Sequence, residues 1–236
     1  MFLCVSGAER MRIDGSGNVG IGTSSPVRTF HAESSDTLVG RFKSTGSTEG
    51  FIQLAGSGIS TAPRLGATGN HLLAYTSDTE RMRIDSAGHV TMPYQSAFHA
   101  DKNTTNQDNI PATYTTITFG TERYDVNADY NTGTSTFTAP VTGKYLIHYS
   151  LRLQGIDSAS NYYVARLNSS NRNYIQIYSN NEWVGDVSYW TVHRTTIVDM
   201  DAGDTVYLEL LFNGGTAQTD IDGNTEYSVF SGYLLG

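Results

Sequence analysis

The sequence predicts an all-β protein, and three observations predict it. The clearest is residues 144–153, where Tyr145, Ile147, Tyr149, Leu151 and Leu153 alternate with Lys144, His148, Ser150 and Arg152. That is the period-two pattern of an antiparallel strand with one face in a core and one in water. The second is turn chemistry at short intervals: Asn131-Thr132-Gly133, Asn168 to Asn171, Asp201 to Asp204, Asn213-Gly214-Gly215 and Asp222-Gly223-Asn224 punctuate runs rich in β-branched and aromatic residues. The third is that no stretch keeps a helical period over a useful length.

Taken in order, the chain begins with an internal repeat. Glu9-Arg-Met-Arg-Ile-Asp-Gly-Ser-Gly-Asn-Val19 recurs as Glu80-Arg-Met-Arg-Ile-Asp-Ser-Ala-Gly-His-Val90, 71 residues on and identical at 8 of 11 positions. Each copy, residues 9–22 and 80–93, reads as strand, Gly-containing turn, strand: Met11 and Ile13 alternate with Arg10, Arg12 and Asp14, and the turn follows. One such hairpin cannot bury its apolar face alone. Between the copies, Phe51–Leu54 and His71–Tyr75 read as further strands, whereas the first copy is expected to lack preceding strands of this kind. That difference suggests the distal fragment of a longer fibre, the alternative being a complete protein with an atypical first repeat.

A change of composition after Met92-Pro93 divides residues 1–97, a β-rich shaft, from residues 98–236, a second domain. Expected strands in the second domain are 114–119, 135–139, 144–153, 162–167, 174–178, 189–198, 205–212 and 227–235. Pro140, which cannot donate to a ladder, stops the run at Phe137-Thr138-Ala139, and Gly143 lets the chain turn into the long strand. Several late strands are apolar on both sides. Val206, Leu208, Leu210 and Phe212 alternate with Tyr207 and Leu211, and Phe230 and Leu234 with Val229, Tyr233 and Leu235, so the second face is expected to meet another subunit.

The segment Phe137-Thr138-Ala139-Pro140-Val141-Thr142-Gly143-Lys144-Tyr145 resembles the signature of the globular head of complement C1q and the tumour-necrosis-factor-like jelly rolls. Phe98-His99-Ala100, Ala202-Gly203-Asp204-Thr205-Val206-Tyr207-Leu208 and Phe230-Ser231-Gly232-Tyr233-Leu234-Leu235 follow in the family's order. The resemblance covers residues 98–236 and implies a ten-stranded jelly-roll sandwich that assembles as a homotrimer and binds at exposed loops. The repeat, with Gly17-Asn18-Val19-Gly20-Ile21-Gly22-Thr23, resembles modules of bacteriophage tail fibres, where such modules often precede a self-cleaving chaperone. That resemblance implies a tail fibre of a virion, working outside the cell, with the jelly roll in the chaperone's place.

Composition narrows the function. Charged residues are 16% of the chain, against about 25% in an average globular protein, so Thr, Ser, Asn and Gly do the solvating. A formal charge of −8 and no basic run exclude nucleic acid as a partner, since phosphate binding needs clustered Lys and Arg. The single cysteine, Cys4, excludes an internal disulfide framework. Met1-Phe2-Leu3-Cys4-Val5 lacks a charged leader region and no run is long enough to span a bilayer, so neither secretory signal nor membrane insertion is expected. No Gly-x-Ser-x-Gly elbow, phosphate loop or reactive Cys/His pair is present, and an enzyme is not expected; a two-carboxylate glycosidase is the enzymatic rival.

Adhesion is the expected function: attachment to a host bacterial surface glycan or protein, with an assembly cap of a fibre or a bacterial surface adhesin as alternatives. Trp183, in the polar loop Ser179–Asp186, is the leading contact, because rings in polar loops suit sugar faces and protein hot spots. Trp190, in phase with Val192, is read as core. Both termini are expected at one end of the head, which leaves three loops for the receptor: 157–162 with Asn161 and Tyr162, 168–173 with Asn171 and Arg172, and 180–186 with Asn180 and Asn181. No cofactor is required. Asp220, Asp222, Asn224 and Glu226 invite a calcium reading, since calcium takes six to eight oxygens, against the favoured reading of a tight turn at Asp222-Gly223. The six histidines show no ligand spacing.

Overall fold

The structure is a computed structural model that describes residues 1–180 and 184–236. The chain forms two compact units, Met1–Met92 and Pro93–Gly236. Both are built from strands, and among the described residues no helix is long and apolar enough to cross a membrane.

The first unit holds two sheets, one mixed and one antiparallel. Strands β1 (Phe2–Val5), β2 (Ala8–Ile13), β3 (Val19–Ile21) and β4 (Phe30–Ala32) form one, with β3 and β4 parallel; β5 (Glu49–Gln53), β6 (Arg64–Thr68), β7 (His71–Thr76), β8 (Thr79–Ile84) and β9 (Val90–Thr91) form the other. The sequence repeat is a structural one. In copy one the carboxylate of Asp14 accepts from the amides of Ser16 and Asn18, and in copy two Asp85 accepts from Ala87 and His89. Gly17 and Gly88 close the turns at φ 84° and 90°, a conformation that costs glycine nothing. Arg12 pairs with Glu9 and Arg83 with Glu80, and each copy bulges at the same place, between Leu3 and Cys4 and between Ala74 and Tyr75. Thus β1 stands to the first copy as β7 does to the second, so the first copy does have a preceding strand. β6 also escaped the sequence reading, because Arg-Leu-Gly-Ala-Thr is poor in strand formers.

The second unit is a two-layer sandwich. One sheet runs β12 (Thr121–Val126), β10 (Ala97–Asp101), β21 (Val229–Leu234), β15 (Gly143–Ile156), β18 (Val187–Met200). The other runs β13 (Tyr130–Asn131), β14 (Thr136–Thr138), β19 (Thr205–Gly214), β16 (Ser160–Ser169), β17 (Asn173–Ser179). Short strands β20 (Asp220–Ile221) and β11 (Thr115–Thr116) pair with β15 and β19. This is the ten-stranded jelly roll expected, with two short additions. The predicted long strand over 114–119 is reduced to β11, and β12 was not foreseen.

Register explains the core. Tyr145, Ile147, Tyr149, Leu151 and Leu153 of β15 are fully buried, as the alternation predicts. Phe98 stacks on Phe137 (4.7 Å) and Tyr130 (4.9 Å) and meets Phe230 edge-on (5.1 Å). Gly232 lies opposite Phe98, where a Cβ would come 2.5 Å from the ring; the Phe-Ser-Gly-Tyr segment needs glycine there for the ring to fit. Trp190 is half-buried and packs edge-on to Tyr178 at 5.1 Å, against the core. The outward face of β19 is occupied within the protomer. Glu209 pairs with Arg166 (2.6 Å), Asn168 donates to Tyr207 and Glu209, and the Tyr114 ring lies on Arg166.

Candidate functional site

β16 separates the proposed receptor loops by its full length. At its start Asp157 is buried and its carboxylate accepts from the amides of Ala159 and Thr216 and the Thr216 hydroxyl. Asp186 accepts from the amide and hydroxyl of Ser158 (2.9 and 2.7 Å) and from Gln218 (3.1 Å); these donors hold its carboxyl below the usual carboxylate range. Asn161 donates to Asn213. Three segments, 157–162, 184–187 and 213–219, are therefore laced into one end of the sandwich. Gly215 carries φ 71° with the Asp157 carboxylate where its Cβ would be, so the lacing depends on a glycine.

Asn180 belongs to this network as a buried strut rather than a contact. It is 2% exposed, and its amide donates to the carbonyl of Asp157 and the hydroxyl of Ser160. A side chain so enclosed offers no surface to a receptor. Asn161 is exposed and Tyr162 half-buried at the same end. Asn181 and Trp183 lie outside the described residues.

Asn171 and Arg172 are at the opposite end, a correction to the grouping of three loops. Asn171 donates to the carbonyl of Asp199, Ser170 meets Thr205, and Asn171 shares a hollow with Thr142, Lys144, Asp201 and Gly236. The chain end is there too: Lys144 donates to Gly236, and Leu234 to Ser96 at the head's entry. Both termini do share one end, and loop 168–173 shares it with them. The sequence misses this because loops flanking a single ten-residue strand look alike until the strand's direction is known.

The turn falls at Asn224–Tyr227, where the amides of Tyr227 and Ser228 donate to the Asn224 carbonyl, and not at Asp222-Gly223, which stays outside it with Asp222 buried. Asp220 accepts from the amide of Asn109 (2.7 Å), Asp222 from that of Asn224 (2.8 Å), and Asn224 from that of Glu226 (2.9 Å). Gly223 seats against Thr105 and donates to Asn106. Asp222 also faces Arg152 at 3.4 Å. Asp220, Asp222 and Asn224 thus each accept an internal hydrogen bond, and among the described residues no group of three or more His, Cys, Asp or Glu side chains is placed to hold a metal.

One feature was not anticipated. The Arg152 guanidinium lies 4.1 Å from the Tyr189 ring and 4.2 Å from the Tyr227 ring, with both rings exposed. The signal was available, since Arg152 and Tyr189 both fall in the outward phase of their strands. Three histidines share that outward face. His99 and His148 flank Ser231 in register, and His193 sits opposite Ser150. Burial pushes the imidazoles of His99 and His148 down, with His193 and His99 adding to the effect on His148.

Comparison with known proteins adds three findings. Residues 97–235 match the C1q domain family. Among solved structures, the globular domain of zebrafish complement 1qA protein is 20% identical, covering 60% of this chain and 98% of its own, with a TM-score of 0.44. Murine APRIL (crystal structure, pH 8.5) is 11% identical, covering 60% and 99%, also at 0.44. No curated protein matches the chain.

Proposed function

Because this chain belongs to the C1q domain family, whose domains are generally non-enzymatic binding modules and typically trimers, we propose that it is a homotrimeric adhesion module, the distal receptor-binding segment of a bacteriophage tail fibre. Its target is a glycan or protein of the host bacterial surface. The observation that carries this reading is the joining in one chain of a C1q domain to a repeated strand-turn-strand module, whose sequence resembles those of phage tail fibres. The laced end of the head, remote from both termini, supports placing the receptor contact there: a pre-organised platform loses little entropy on binding.

The test is sedimentation of the labelled full chain with a panel of bacterial strains. Binding to a subset of strains, lost on removal of residues 93–236, is expected; no binding to any strain, or equal binding without the head, overturns the reading. Within it, Trp183→Ala is expected to weaken cell binding by about 1–3 kcal/mol, the range of an aromatic anchor, with an unchanged melting temperature. A second reading, an assembly cap that registers three chains, is favoured by the uncovered apolar strands of the first unit. It predicts that the head-deleted chain fails to assemble and that the head alone binds no cell.

A further inference from the structure

The first unit leaves one side of each sheet unfinished. In the β5–β9 sheet the register places Ile52, Leu65, Leu72, Met82, Ile84 and Val90 on a single face with Gly50, Ala67 and Ala74 among them, and Phe42 flanks it beside Ile52, Leu65 and Leu72. No side chain of this set carries a charge or a hydrogen-bonding group. Ile52, Leu65, Leu72 and Val90 are 47%, 46%, 42% and 57% exposed. The opposite face is complete in itself. Leu73 is fully buried, Phe51 packs edge-on to Tyr75, Arg64 lies over both rings, and Glu80 pairs with Arg83.

The β1–β4 sheet repeats the arrangement. Leu3, Met11, Ile13, Val19, Ile21 and Phe30 share a face by register, and Met11, Ile13 and Val19 are the repeat counterparts of Met82, Ile84 and Val90. Leu3, Ile21 and Phe30 are exposed. Two separate sheets with the same bare apolar face make chance a poor account. A single layer of short strands has no partner layer of its own, and stable architectures bury a sheet's apolar face against a second layer.

We propose that these faces are where copies of this chain pack on one another, the repeat units of three chains turning their apolar sides inward and keeping the Glu-Arg pairs outside. The proposal rests on the trimeric reading above and names the partner and the surface. The chemistry favours identical copies. An uncharged face brings no like-charge repulsion when it meets itself, and it offers no polar group by which a foreign partner would be oriented. An association of heads would also hold the attached repeat units at high effective concentration, so that modest faces suffice. Contiguous bare apolar surface of this kind marks an interaction site in a soluble chain.

The test uses the full chain with Cys4→Ser, since Cys4 is exposed. Single cysteines are placed by Leu72→Cys or Val90→Cys on the apolar face, and by Gln53→Cys or Thr91→Cys on the other, followed by a short bismaleimide and a denaturing gel, with light scattering in parallel. Covalent dimers several-fold more abundant from the apolar face are expected. Equal cross-linking from both faces, or none from the apolar face in a chain that scatters as a trimer, overturns the inference and leaves the trimeric reading standing. A monomer by light scattering overturns the trimeric reading, and the inference with it. A second variant, Leu65→Glu with Leu72→Glu, is expected to render residues 1–92 protease-sensitive while the head stays resistant; protection equal to that of the parent overturns the inference.

Discussion

The repeat unit and the head are written in the same alternating code, yet only the head uses it up. In the head, inward residues of two sheets meet: Phe98, Phe137, Tyr145 and Phe230 fill one space from β10, β14, β15 and β21. In the repeat unit the equally regular alternation of Met82 and Ile84 with Arg81 and Arg83 ends on a face where Ile52, Leu65, Leu72 and Val90 stay exposed. Alternation specifies which side is apolar; whether that side is covered within the chain depends on a second layer. The head therefore closes its core within one chain, whereas the repeat unit's sheets leave an apolar face largely exposed.

The largest expected effect breaks the head and spares the repeat. Phe98→Ala removes the ring that touches Tyr130, Phe137 and Phe230 and should cost about 3–5 kcal/mol, the range for a buried aromatic, read by chemical denaturation. A loss below about 1 kcal/mol would mean the core collapses around the gap, which its close aromatic contacts argue against.

That core was the legible part. The phase of Tyr145 to Leu153 and the Pro140 stop identified β15 and the end of β14 without help, because a strand with one buried and one outward face leaves a strict period. The candidate site was less legible, for reasons visible in particular residues. Asn180 looks like any polar loop residue, and only its two acceptors show it to be buried. Asp157 gives no sequence signal that it ties 159 to 216, since its partners are about sixty residues apart. Asn161 lies at the start of β16 and Asn171 just past its end, so the extended strand between them sends them to opposite ends. The apolar face of β5–β9 was half legible: Met82 and Ile84 were read, but Leu65 lay in a strand that propensity hides.

A smaller effect sharpens the contrast between buried and open ion pairs. Arg166 and Glu209 have side chains 17% and 9% exposed, so Arg166→Ala strands a carboxylate in a poorly solvated place. Stability should fall by about 2–3 kcal/mol, less than the roughly 3–5 expected when a fully buried pair is broken. Arg83→Ala, which breaks the repeat's Glu80 pair at a similar distance, should leave the melting temperature within error, because water screens that pair. Equal losses at the two sites would show that the repeat's pair is enclosed after all, as it would be if the wet and apolar faces were assigned the wrong way round.

The smallest effect is a difference in how the two units meet acid. In the head, His99 and His148 have imidazoles pushed down by burial. The groups facing them offer little compensation. Asp101 on β10 is already engaged by Arg123 of β12, Tyr124 packs on His99, β21 presents Ser231, β18 presents Thr195 and His193, and Arg152 along β15 is itself a cation. Unfolding frees both imidazoles to protonate near their ordinary value of about 6.5. The unfolded state then binds more protons than the folded one, so head stability falls as pH drops below about 6.5. Asp129, whose carboxyl burial pushes up, acts in the opposite sense but only as pH approaches the carboxylate range. The repeat unit titrates later. Glu9, Asp14, Glu80 and Asp85 are held below their ordinary values by hydrogen bonds and ion pairs, so their contribution is present above about pH 4 and is lost only as pH falls further. Both tryptophans lie in the head, so tryptophan emission follows that unit alone while far-ultraviolet circular dichroism follows both. The emission midpoint in urea should decline between pH 7 and 5, and His148→Asn should flatten the decline. A wild-type midpoint that stays level across this window would show that the histidine face gains a countercharge that the single chain does not supply.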